Sequence, residues 1–289
     1  MRRNWIDRCL TSLQNSTVAC KAILVDNGST DNTGEFVTKH YPDAIWLPQG
    51  CNLGFGKANN IGINYALERN ADNVLLLNQD ATIHPDALAL MLAENDGESL
   101  LSPLHLNGDG TRIDEMFRIS LRNANNHMND DMLIRHTLAS HYVTGEICAA
   151  CWLMPRRLLE KVGGFNPLFY HYGEDNNYYQ RMVYHNVNTL LVPAAYMMHD
   201  RNTHGDPTMF RKHFVRRNLL IELCNINHSI TAITKRLCWL LITCYSKHLP
   251  QRMYVPGTFL LECFRLLFFF PRIRSSRKTD KQEGKNWLT

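Results

Sequence analysis

Apolar residues recur at helical spacing at Ile6, Cys9, Leu10 and Leu13, which predicts a short amphipathic helix near the start of the chain. Ala22 to Val25 is a compact apolar run that reads as a strand. Behind it, Asp26-Asn27-Gly28-Ser29-Thr30-Asp31-Asn32-Thr33 is rich in turn and cap residues, with Thr33 placed to open a helix through His40. Ala44 to Leu47 predicts a second strand, leading into the loop Asn52-Leu53-Gly54-Phe55-Gly56, and Lys57 to Asn70 predicts the next helix. Val74-Leu75-Leu76-Leu77 is a fully apolar strand that ends at Asn78-Gln79-Asp80. From Leu100 to His141 the pattern weakens, and Asn123, Asn125, Asn126, Asn129, Asp130 and Asp131 suggest an irregular insertion. Regularity returns with Pro155 in the first turn of a helix ending at Gly163-Gly164, a helix from Glu174 to His185, and a strand from Thr189 to Val192.

The alternation of strands and helices predicts an α/β fold with a mostly parallel central sheet, helices covering both faces. Ligands in such sheets bind at the carboxyl ends of strands, where Asp26 and Asp80 both fall. Beyond Phe214 the chain reads as helical, with apolar patches at Leu237 to Tyr245 and Phe259 to Phe270. The expected division is a catalytic domain over residues 1–213 and a helical segment over 214–289.

Composition narrows the classes. The chain has 289 residues, 45% hydrophobic, enough for one large domain with an appendage. A net charge of +4 is too mild to indicate a nucleic-acid partner. The nine cysteines form no disulfide framework. Cys148 and Cys151 make a lone C-x-x-C in apolar surroundings, which reads as buried free thiols in a reducing cytosol more readily than as a zinc or redox pair. The N-terminus, Met1-Arg2-Arg3-Asn4-Trp5, has no apolar run behind its charges, and no stretch is long enough to span a bilayer. A cytoplasmic location is expected, peripheral on the inner face of the cell membrane if the C-terminal segment lies in the interface with Arg272, Arg274, Arg277 and Lys278 near anionic headgroups. The alternative is that these helices pack on the catalytic domain.

Three clusters carry candidate chemistry, and each has a plain structural reading beside it. Asp80 at a strand end either binds a divalent cation or caps the following turn. Glu174 and Asp175 either supply a general base or favour the dipole of the helix they open. In His199-Asp200-Arg201, the imidazole is a metal ligand or a buried structural histidine, and Arg201 is suited to a phosphate.

Taken in order, D-N-G-S-T-D, N-L-G-F-G-K-A-N-N-I-G, L-L-L-N-Q-D, T-G with V-G-G-F, Y-G-E-D-N-N-Y-Y-Q-R and H-D-R resemble the inverting family 2 glycosyltransferases, the bacterial rhamnosyltransferase-like branch above all, over roughly Ile6 to Asp206. The resemblance implies the GT-A fold and metal-dependent transfer of a sugar, rhamnose being one candidate, from a nucleotide-diphosphate donor to a saccharide or lipid-linked acceptor in cell-surface polysaccharide synthesis. It places Asp26 and Asn27 on the nucleoside, and Asn52, Gly54, Gly56 and Asn60 along the loop and helix start beside it. Asn78 and Asp80 take the D-x-D position, with Asp80 and His199 on Mg2+ or Mn2+ and the diphosphate, and Arg201 nearby. Asp175 becomes the catalytic base, supported by Glu174. Two departures are Asn78 for the first acid of D-x-D and Asn177 for the second acid after E-D. The third is larger: the resemblance implies an apolar first strand ending in a nucleotide-holding turn, and this sequence begins at what reads as the following helix. The expectation is an N-terminally shortened chain, with unpaired backbone in the sheet and an opened nucleotide pocket. That departure keeps alive a catalytically silent nucleotide-sugar-binding or scaffold protein at the membrane. A nucleotidyltransferase is disfavoured by the lack of a glycine-rich basic signature near the N-terminus.

Overall fold

A computed structural model describes residues 3–123, 128, 131, 135–201, 207–229, 231–233, 235–236 and 256–288. The apolar patch from Leu237 to Tyr245 lies outside them, as do Asn125, Asn126, Asn129, Asp130 and Asp206.

The N-terminal helix α1 (Arg3–Gln14) precedes a β-α-β unit: β1 (Ile23–Asp26), α2 (Thr33–His40) and β2 (Ile45–Pro48). The two strands pair in parallel from Ile23↔Ile45 to Asp26↔Pro48. Ile6, Leu10, Val37 and Tyr41 form their own buried cluster, with Leu24 and Trp46 against it. The Tyr41 hydroxyl leaves this cluster to donate to Asp7 Oδ1 at 2.6 Å, so its polar end is satisfied as its ring is buried.

The main sheet follows α3 (Phe55–Glu68). It comprises β3 (Asn73–Leu77), β4 (Ala81–Ile83), β5 (Leu100–Asn107), β6 (Tyr142–Thr144), β7 (Cys151–Pro155) and β8 (Thr189–His199). The order is β3-β7-β5-β8-β4, with β6 paired to β8. Only β5·β8 is parallel; the pairings β3·β7, β5·β7, β4·β8 and β6·β8 are antiparallel. The sheet is therefore mixed rather than mostly parallel, because β7 enters between β3 and β5 in the opposite direction and β4 folds back along the end of β8. The helices on its faces are α4 (Ala87–Ala93), α5 (Glu115–Asn123), α6 (Arg156–Val162) and α7 (Glu174–Tyr184).

The stretch from Leu100 was expected to be irregular, yet it begins with the strand between β7 and β8. Its alternation is hidden because Ser102 and His105 are polar and fully buried; they satisfy each other at 3.2 Å between Oγ and Nε2. The strand expected to stop at Val192 runs on to His199. The register jumps from Pro103↔Val192 to Leu104↔Tyr196, so Pro193, which has no N–H to give the ladder, sits in a bulge.

Between β1 and β3 the layer is interrupted. β1 pairs with β2 and β3 with β7, and no strand among the described residues joins the two sheets. Helix α3 covers both on one face: Gly62 meets the Val25 side chain, and Ile63 and Leu67 pack with Leu76. On the other face Leu13 of α1 touches the clusters of both sheets. Leu24, Val25, Val74, Leu75 and Leu77 are apolar and covered by helices, but remain only half-buried.

The C-terminal helices α8 (Pro207–Cys224) and α9 (Pro256–Asp280) pack together through Leu219, Leu220, Cys224, Leu266 and Ile273, with Phe169 of the catalytic layer in the same cluster. Helix α8 runs through the division expected at residue 213. The last residues return to the main core, where Leu288 packs with Ile63, Phe165 and Tyr178. Asp280, at 1% exposure, accepts from Trp287 Nε1 at 2.9 Å and lies 3.6 Å from Nε of Arg181, which is 0% exposed. Arg181 also donates to the carbonyls of Val162 and Gly164. The C-terminal segment is thus a strap built into the catalytic core.

Candidate active site

The turn Asn78-Gln79-Asp80 connects β3 to β4, and the ladder sets Ala81 opposite His199 at the end of β8. That register brings the His199 Nε2 within 3.2 Å of Asp80 Oδ1, while the Asp80 carbonyl accepts from the Asp200 amide at 2.8 Å. His199 is buried, and its Nδ1 finds no partner among the described residues; neither does the buried Gln79 Oε1. No group of three or more His, Cys, Asp and Glu able to hold a metal lies among the described residues. A cation at Asp80 and His199 would have two side chains to bind and would need to complete its shell with oxygens of an anionic substrate. Helix α1 borders this corner. Trp5 Nε1 and Arg8 Nη1 both donate to Asp200 Oδ2, at 3.2 and 3.0 Å, and burial together with the Asp80 charge pushes the Cys9 thiol up to about 12.

The loops after β1 and β2 are clasped by side chains. Asp26, buried, accepts from the Ser29 amide at 3.1 Å. Asn27 reaches across: its Oδ1 accepts from the Leu53 amide at 2.7 Å and its Nδ2 donates to the Gly54 carbonyl at 3.2 Å. Asn52 Oδ1 accepts from the Gly54 amide at 2.9 Å. Gly54 has φ +86°, and a Cβ there would collide with the Tyr170 carbonyl. A Cβ on Gly56 would press on Phe165 at 2.9 Å, so α3 starts flush against the core. Asn60 does not belong to this surface. It is buried, its Nδ2 donates to the carbonyls of Phe165 and Trp287, and its Oδ1 accepts from the Phe165 amide at 2.6 Å. Both its N–H donors are used in clamping the core, which leaves none for a nucleotide.

At the third corner Gly173, φ +94°, turns the chain into α7, whose first residues are Glu174 and Asp175. Asp175 is half-buried and its Oδ1 accepts from the Asn176 amide at 2.9 Å; burial raises its pKa. Glu174 is pushed up to about 7 by burial and by the Asp175 charge, and its Oε2 is without a partner among the described residues. Asn177 is fully buried, and its Oδ1 and Nδ2 are likewise unpaired among those residues. Beside them stands Glu146, which no motif had flagged. Its Oε1 accepts from Asn176 Nδ2, and burial followed by the Asp175 charge pushes it up to about 7.

A further cluster comprises Arg201, Asp114, Cys148 and His105. Arg201 Nε donates to Asp114 Oδ2 at 2.8 Å, and its Nη2 lies 3.7 Å from Cys148 Sγ, so the guanidinium is engaged by a structural acid. Cys148 feels both Arg201 and Asp175, and burial holds its thiol up at about 11. Cys148 Sγ is also 3.7 Å from Nδ1 of His105, which burial and the neighbouring His199 and Arg201 keep well below the usual imidazole range. A raised thiol pKa is the reverse of what a redox or metal-binding Cys148 needs.

Residues 1–163 match the family described as glycosyl transferase family 2, and the chain belongs to that family. It is 27% identical over 228 residues to an N-acetylglucosaminyl-diphospho-decaprenol L-rhamnosyltransferase of Mycobacterium tuberculosis, covering 70% of this chain and 74% of that protein. A low-salt glycan biosynthesis hexosyltransferase, Agl10, of Haloferax volcanii is 26% identical over 178 residues, covering 57% and 54%. Among solved structures, GalNAc-T7 with UDP, GalNAc and Mn2+ aligns with a TM-score of 0.57 at 13% identity, and S. aureus TarS with 0.54 at 16%. These alignments cover 98% and 96% of this chain but only 53% and 52% of those chains, and they bear on the fold alone. The fold is that of the GT-A glycosyltransferases, and the chain is a member of glycosyl transferase family 2.

Proposed function

We propose that the protein transfers a hexosyl or rhamnosyl group from a nucleotide-diphosphate donor to a saccharide or lipid-linked acceptor, with inversion. The observation that carries this reading is the 3.2 Å contact between Asp80 and His199. The printed activities of the two relatives support the sugar class, and Mn2+ in GalNAc-T7 supports the cation. A Mg2+ or Mn2+ held by Asp80 and His199 would neutralise the leaving diphosphate. Asp175 takes the proton of the acceptor hydroxyl as its oxygen bonds to the anomeric carbon, and the bond from that carbon to the diphosphate breaks with its electron pair on the leaving group. Glu174 backs Asp175, and Asp26, Asn27, Asn52, Gly54, Gly56 and Asn78 border the donor.

The interrupted layer beside the donor loops favours a second reading, nucleotide-sugar binding without transfer. One experiment separates the two: titration of nucleotide-sugars with Mn2+, followed by transfer and donor-hydrolysis assays. Asp175→Asn is expected to lower turnover by about 10²–10⁴-fold while donor affinity persists. Normal turnover of Asp175→Asn removes the base role, and binding without any turnover in the parent chain supports the silent protein.

We further infer peripheral contact with an anionic membrane. No helix among the described residues is long and apolar enough to cross one. Helix α9 exposes Leu261, Phe264 and Phe268 on one stripe, with the exposed side chains of Arg265, Arg272, Arg274 and Lys278 around it. Arg277 is not among them: it turns inward and donates to the carbonyls of Leu223 and His228, both at 2.9 Å. Phe264→Ser with Phe268→Ser should abolish co-sedimentation with phosphatidylglycerol vesicles, and unchanged binding would sink the idea.

A further inference from the structure

Glu146 sits in the connection between β6 and β7, and 30 residues separate it from its partner Asn176. The peptide N–H of Asn176 donates to Asp175 Oδ1, and the side-chain amide of the same residue donates to Glu146 Oε1. One asparagine is therefore held at both ends by two carboxylates, and the first turn of α7 cannot move without disturbing both. Resting on the base role assigned to Asp175, we propose that Glu146 is a positioning residue for proton abstraction: it orders the turn that presents Asp175 and, once ionised, strengthens the pull of Asp175 on the acceptor's proton.

The physical basis is repulsion between like charges in a poorly solvated pocket. A second carboxylate beside Asp175 disfavours its anion and so raises its affinity for a proton. Proton abstraction follows basicity, provided that Asp175 itself stays ionised at the working pH. The groups facing the pair come from each neighbouring element. Glu174 lies on the same helix, and Arg217 of α8 acts on both Glu174 and Asp175 as a countercharge. Cys148 borders Asp175 from the β6–β7 connection, and Tyr179, on α7, borders Glu146. The Arg217 charge favours ionised Asp175, whereas burial and then the Asp175 charge delay ionisation of Glu146 to about pH 7. Through about pH 7 Glu146 passes from neutral to charged.

Glu146→Gln makes the sharp test, because glutamine keeps the oxygen that accepts from Asn176 and removes only the charge. In the full chain, the parent kcat/KM should rise as pH increases through about 7. Glu146→Gln should match the parent at low pH, lack that rise and fall several-fold behind at high pH, with unchanged affinity for a nucleoside diphosphate and Mn2+. Glu146→Leu should lose the hydrogen bond as well and fall behind at every pH. A parent-like profile for Glu146→Gln overturns the proposal, as does loss of the rise in Glu174→Gln alone. Asp175→Asn, run in parallel, isolates the underlying reading: if it turns over normally the base assignment fails, whereas if it is dead and Glu146→Gln is parent-like only the Glu146 role fails. A substrate-free measurement keeps the coupling testable even where a variant is inactive. Carbon-13 titration of labelled glutamates should show the Glu146 carboxyl moving down toward the ordinary range in Asp175→Asn, and no movement contradicts the pairing.

Discussion

The loops after β1 and β2, the proposed donor corner, and the start of α7, the proposed base corner, are held in opposite ways. At the donor corner these loops are tied by short contacts to backbone, Asn27 serving Leu53 and Gly54 and Asn52 serving Gly54. The strands beneath are short, half-buried and set apart from the main sheet. At the base corner α7 presents Asp175 from a helix whose inner face carries fully buried Tyr178 and Arg181. Arg181 reaches the turn after α6 and Asp280 at the end of α9, so the helix that presents Asp175 is braced by residues from two distant segments. A base must hold its proton acceptor in place through the reaction, and a donor loop must admit and release a nucleotide. Long-range burial suits the first task and local clasps suit the second.

This contrast can be broken by experiment. The largest effect is expected on turnover from Asp175→Asn, as set out above. Next comes Asp280→Ala, which strands the buried Arg181 charge and should cost about 3–5 kcal/mol of global stability, read as a lower midpoint in denaturant unfolding. A loss under about 1 kcal/mol would show that the strap does not brace the base corner. Glu146→Gln changes only the pH profile. Gly54→Ala acts on the donor corner alone. The positive φ and the nearby Tyr170 carbonyl forbid a Cβ without local adjustment, a strain of about 1–3 kcal/mol. It should weaken donor affinity by about tenfold, with the core's amide hydrogen exchange unchanged. Exchange faster throughout α7 would mean that the two corners are one cooperative unit.

Much of the local structure was legible along the chain. Val74 to Leu77 matched β3, the helix opened by Glu174 matched α7, and Asp80 falls at a strand end as the apolar run before it implied. These are short-range matters of periodicity, caps and turns. The strand from Leu100 was missed because Ser102, Pro103 and His105 interrupt its apolar pattern, and their burial depends on neighbours from β7 and β8. Asn60 was placed beside the nucleotide on motif resemblance, whereas its amide spans to Phe165 and Trp287 in the core.

By itself the sequence determined the family, the strands that lead to Asp26 and Asp80 and the helix that carries Asp175, since each is written in contiguous residues. Only the tertiary structure decided which groups meet. Asp80 and His199 stand 119 residues apart, and Asn176 and Glu146 stand 30 apart. Their contacts come from sheet register and from a connection that packs against α7, and the shifted basicity of the site comes from burial among them. Burial and proximity are properties of the packed chain, so no local motif records them.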